Sequence, residues 1–198
     1  MANTNKNGKN FTKNLTMVAI LTAITVVLQI VALVSRPFLP FSITLSLFPI
    51  VIGAALCGPV TSSWLGFAFG VTVLLSGDAA AFLTVNIPGT IITVLVKGTL
   101  AGLAAGLIYK LASKVNGYFG VFCSAVAAPV VNTGVFLLGC KLFFMDTITS
   151  WAEAAGSANV GSYIILSFVG INFLIELGVN MVCSPIILRL INIRKKEG

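Results

Sequence analysis

The chain has 198 residues, of which 58% are hydrophobic and 9% charged, with 12 basic side chains, 5 acidic ones and no histidine. Its mean hydropathy of +1.06 excludes a soluble globular domain, because so few charges could not cover the surface of one this size. The absence of histidine excludes most zinc sites and every nucleophile that needs a histidine base.

The first 14 residues, MANTNKNGKNFTKN, are polar and basic. They read as a short tail ahead of a first apolar segment, 15–34, which suits one full span and exceeds the length of a signal-peptide core. Gln29 lies in this segment, and Ala19 and Ala23 are four residues apart on it. The breaker SRPFLPF then leads to a short second segment, 44–57, that stops at Gly58-Pro59. A third segment, 60–76, ends at Ser76-Gly77-Asp78, and a fourth covers 89–112. Asn86 and Pro88 precede the fourth, and Lys97 interrupts it. The fifth, 118–143, contains Asn132 and Lys141, and the sixth, 160–191, contains Asn172, Glu176 and Asn180.

The fold class expected is an all-α membrane protein with six transmembrane helices spanning 15–191, flanked by the tails 1–14 and 192–198. Lys6, Lys9 and Lys13, then Lys110 and Lys114, then Arg189, Arg194, Lys195 and Lys196 all fall on one side of a six-span arrangement. The positive-inside tendency makes that side, and both termini, cytoplasmic. Asp78, Asp146 and Glu153 fall on the other side, where 35–43, 77–88 and 144–159 form the longer loops.

Lys97 and Glu176 are out of place in lipid, at about 2.5–3.5 kcal/mol each near a helix centre. A mutual salt bridge would explain both. A polar cavity explains Lys97 better, since Asn86, Asn132, Lys141 and the stripe Asn172, Glu176, Asn180 converge at comparable depth. Any single asparagine is accounted for by an interhelical hydrogen bond; amides and a lysine on three helices suggest a solute. Trp64, Trp151, Tyr118 and Tyr163 suit an interfacial belt, and Trp151, with Phe38 and Phe41, could instead close over a flat ligand. Gly98, Gly102 and Gly106, and Gly66 and Gly70, repeat every four residues and form ridges for close packing. The cysteines, Cys57, Cys123, Cys140 and Cys183, lie in apolar runs and read as helix filler. No metal and no cofactor are expected.

The basic N-terminus leading into AILTA, the stretch RPFLPFSITLSLFPIVIGAALCGP and six spans in about 190 residues resemble the substrate-binding S component of energy-coupling factor (ECF) vitamin transporters, most closely the riboflavin, folate and pantothenate group. The resemblance implies a subunit that binds a vitamin or related micronutrient from outside. It also implies partners, a transmembrane T component and two cytoplasmic ATPases, in a prokaryotic cell membrane. The family's A-x-x-x-A coupling motif maps onto Ala19 and Ala23. Its pocket, in the outer half, makes Lys97, Asn132, Lys141 and Asn172 candidates by position, with Asn86 beside them and Glu176 deeper. LPFSITL resembles biotin S components, but their glycine-rich segment is absent. The pocket tryptophans of a thiamin binder and the N-terminal metal ligand of the nickel and cobalt type are also missing. A lysine in the pocket favours an anionic ligand such as pantothenate or a folate-like compound; riboflavin and a queuosine precursor stay open. A self-sufficient ion-coupled transporter would want an inverted repeat, which the sequence lacks. An intramembrane enzyme would have only Asp78 and Glu176 as a carboxylate pair.

Overall fold

The computed structural model describes residues 2–35, 45–157 and 159–196, all helices and turns with no strand among them. The outer stretch carrying Phe38 and Phe41 lies outside the described residues. The helices are α1 (Ala2–Ser35), α2 (Leu47–Cys57), α3 (Pro59–Leu75), α4 (Ala80–Leu83), α5 (Ile87–Ala112), α6 (Gly117–Phe143), α7 (Met145–Ala154), α8 (Val160–Ile164) and α9 (Gly170–Lys196), with one π-helical turn, Ile165–Val169, before α9. The polar N-terminal tail is therefore the start of α1 and not a separate coil. Two of the three segments expected as loops, 77–88 and 144–159, carry the short helices α4 and α7.

Four stretches are long and apolar enough to cross a bilayer: Thr12–Val34, Ile87–Ala112, Gly117–Phe143 and Phe173–Ile193. The sixth segment is not one continuous α-helix, because the π turn and Gly170 divide it. The second and third segments are the short apolar helices α2 and α3. At about 16 Å, α2 is roughly half the thickness of a hydrocarbon core. It does not need lipid: Leu47, Ile50 and Val51 are fully buried and Ala54 nearly so, and α2 packs against α1, α3, α5, α6 and α9. A helix apolar on all sides belongs inside a bundle, and Gly58, at φ 90°, lets the chain turn from α2 directly into α3.

The two glycine ridges meet each other. A Cβ on Gly66 would strike the carbonyl oxygen of Gly98, one on Gly102 that of Ser62, and one on Gly106 the Cα of Pro59. So α3 and α5 lie backbone against backbone, as small-residue ridges permit where lipid supplies no hydrophobic drive between helices. On the other side of α5, Ser124 donates to the Ala105 carbonyl at 2.9 Å and ties in α6.

These contacts set the two ends of the bundle. Trp64 Nε1 donates to Thr22 Oγ1 at 3.3 Å, and the start of α3 abuts the C-terminal third of α5. Leu188, Ile191 and Asn192 of α9 share a cavity with Tyr109, Ser113 and Tyr118. The start of α1, the α5–α6 turn and the close of α9, which carry the basic clusters, therefore lie at one end. The α3–α4 turn, α4 and α7 lie at the other.

Candidate functional site

At that other end, Phe82 on α4 is the hub of an aromatic cluster. Its ring meets Phe136 at 5.7 Å, Phe144 at 5.0 Å and Trp151 at 5.7 Å, all edge-on, the geometry aromatic quadrupoles favour. Phe144 is buried in this cluster, as are Cys140 and Ile148, which pack with it. A four-residue helix from one loop and a ten-residue helix from another thus close over the start of α5 and the end of α6. Trp151 belongs to this cover and is half-buried. Phe82 carried no signal in the sequence, being one phenylalanine among 14 with no periodic partner.

Lys97 of α5 adjoins this cluster through Phe136. Its Nζ sits 5.0 Å from the centre of the Phe136 ring, a cation–π placement that partly replaces lost hydration. Lys97 is about 15 Å along α5 from Ile87, and Asn132 about 16 Å along α6 from Phe143, at ~1.5 Å per residue. The two helices are antiparallel, so the two residues sit at similar depth. Thr93 is four residues before Lys97 and Asn132 four before Phe136, so each pair shares a helix face.

Among the described residues, three buried side-chain oxygens have no hydrogen-bond partner: Thr93 Oγ1, Asn132 Oδ1 and Asn180 Oδ1. Thr93 is 4% exposed, Asn132 7% and Asn180 1%. Such orphaned groups cost roughly 1–3 kcal/mol each and call for an occupant that supplies the missing bond. Asn180 Nδ2 is engaged, donating to the Glu176 carbonyl at 2.8 Å, which leaves its carbonyl oxygen turned elsewhere. Thr93 was not singled out by sequence, since buried threonines usually bond their own helix backbone.

The remaining expected residues divide. Glu176 is buried. Asn172 lies on α9, but its side chain is outside the described residues. Lys141 is exposed in the last turn of α6. Asn86 caps α5, its Oδ1 accepting from the Gly89 N–H at 3.0 Å; that is the ordinary work of an asparagine before a helix, with Pro88 at the first turn beside it.

Gln29 gains a role that its position alone did not suggest. It is 2% exposed, its Nε2 donates to Asp78 Oδ2 at 3.0 Å, and its Oε1 accepts from the Ser46 hydroxyl at 3.0 Å. One amide on α1 thereby holds the approach to α2 and the turn that leads to α4. Together with Thr25, fully buried, it gives α1 a polar inward stripe, which sequence reading had not assigned to it. Ala19 and Ala23 are exposed on another face.

Residues 13–188 match the family described as ECF transporter, substrate-specific component. No curated protein and no solved structure matches the chain. The match covers most of the chain, and this protein belongs to the substrate-specific components of ECF transporters.

Proposed function

We propose that this chain captures a vitamin-like, anionic micronutrient from outside the cell and hands it to an ATP-driven module made of a T component and two cytoplasmic ATPases. Family membership supports a substrate-binding transport subunit in place of an enzyme. The observation that carries the solute class is the set of unpartnered oxygens of Thr93 on α5, Asn132 on α6 and Asn180 on α9 among the described residues. The two asparagine oxygens accept only, so the solute should bring hydrogen-bond donors. The ammonium of Lys97 suits an anionic group. A compact molecule with hydroxyl or amide N–H groups and a carboxylate meets both demands; pantothenate and folate-like compounds are of that kind. Asn172 and Glu176 remain candidates on α9, and Lys141 and Asn86 at the rim.

The orientation belongs to the same proposal. Both termini face the cytoplasm of a prokaryotic cell, because the basic clusters gather at one end, and α2 and α3 complete a six-pass path through the membrane. In a cysteine-free background, Ser157→Cys should be labelled from outside in intact cells and Ser113→Cys should not; the reverse pattern would overturn the orientation. Mass spectrometry of the molecule that co-purifies with the chain tests the function. One stoichiometric small anion is expected. Solute uptake by this chain alone in liposomes, driven by an ion gradient without ATPases, would replace the proposal with a secondary transporter.

A further inference from the structure

The basic end of the bundle holds a second cavity, of about 330 Å³, between the α5–α6 turn and α9. Its wall is rich in hydrogen-bonding groups: the phenols of Tyr109 and Tyr118, the hydroxyl of Ser113, and the amides of Asn116 and Asn192. Asn116 uses its Oδ1 to cap α6, accepting from the Tyr118 N–H at 3.0 Å, so its NH₂ is outside the cap. Leu188 and Ile191, buried to 6% and 8% exposure, form the floor.

The surroundings are cationic. Lys110, Lys114 and Arg189 adjoin the lining residues, are exposed, and have no ion-pair partner among the described residues. Among the described residues the acidic side chains, Asp78, Asp146, Glu153 and Glu176, lie elsewhere in the chain. The positive end of the α6 dipole opens at the same turn. Beside the cavity, Leu111, Phe119, Phe122 and Ile193 present exposed apolar surface.

We propose that this cavity holds the phosphate headgroup of an anionic phospholipid. Cations and donors suit the phosphate, and the apolar surface next to the mouth suits acyl chains attached to it. A free phosphate would use the first feature only, whereas the bilayer around these membrane-spanning helices already places acyl chains beside the mouth. Basic pockets between transmembrane helices take anionic headgroups on this logic. The inference is independent of which solute the other end binds.

The test uses the full chain in vesicles of equal parts phosphatidylglycerol and phosphatidylcholine, released into native mass spectrometry. Selective retention of phosphatidylglycerol is expected. Lys110→Gln/Arg189→Gln should lower that retention roughly tenfold or more. Asn192→Leu, which removes a donor without changing charge, should lower it too. Lys13→Gln, a loss of charge at the same end at an exposed residue of α1 that does not line the cavity, should lower it far less than the cavity pair does. Equal retention of the two lipids would overturn the proposal, as would an unchanged Asn192→Leu. A Lys13→Gln control as damaging as the cavity pair would reduce the effect to diffuse surface attraction and overturn the proposal. Displacement of the lipid by millimolar inorganic phosphate would assign the cavity to free phosphate and overturn the lipid assignment.

Discussion

In the proposed solute site Lys97 and Gln29 would do two kinds of work, contact with the solute for the first and bracing of the mouth for the second. Lys97 sits under the aromatic cover, held over Phe136, where an anionic group would meet it in a low-dielectric setting. Removing one side of a buried ion contact costs about 2–5 kcal/mol. Lys97→Met should therefore weaken solute binding by roughly one to three powers of ten, while the chain still inserts and folds. Gln29 lies on α1 and braces Ser46 and Asp78. Gln29→Leu should leave equilibrium contacts to the solute in place but loosen both loop anchors, so dissociation should quicken more than association slows. Stopped-flow binding of the identified solute distinguishes the two. Normal affinity in Lys97→Met would make the lysine a purely structural partner, and an unchanged dissociation rate in Gln29→Leu would remove the bracing role. Lys97 was legible in the sequence because an ammonium in an apolar run is expensive wherever it points. Gln29 was visible only as a residue: its partners are 17 and 49 positions away, and no local pattern encodes such distances.

At the scale of elements, the close approach of α3 and α5 makes a sharp contrast among glycines. Gly102 has no room for a Cβ because the Ser62 carbonyl occupies the space, whereas Gly134 on α6 has nothing within 4 Å of that position. Gly102→Val should force the two backbones apart and cost at least the 1–3 kcal/mol typical of overpacking, read as a lower thermal unfolding midpoint in detergent. Gly134→Ala should change it little. Equal effects of the two would show that the helices do not meet as described. The four-residue repeats were readable because the period of a helix stacks such positions on one face. Which ridge met which was not, since periodicity names a face and not its partner. Helix α2 shows the same limit. Its uniform apolarity could mean lipid on every side or protein on every side, and only its length of 11 residues leans toward protein. The cover built by Phe82, Phe136, Phe144 and Trp151 draws on three separate helices and the residue between two of them, with no shared spacing for a sequence to display.

For the whole molecule, the decisive surface is the outer face of α1. Its inward stripe is Leu21, Thr25, Gln29 and Ala32, all buried. Ala19 and Ala23 are exposed, in company with Ile20, Ile24 and Val27. Internal packing therefore gives these two small residues no occupation, and a flat patch that admits another helix closely is what their spacing supplies. We propose that it docks the T component. Ala19→Trp and Ala23→Trp should each leave the isolated subunit folded, with solute affinity within about twofold of wild type, because an exposed site tolerates added bulk. Each should abolish co-purification with the T component and ATPases, since a bulky ring prevents close helix contact, and cellular uptake should fall with it. The two measurements have to be made side by side. Loss of binding and of thermal stability together would return the alanines to the chain's own bundle. Full uptake by both variants would show that α1 docks nothing, and the route from the filled site to the ATPases would then have to start from another face of the bundle.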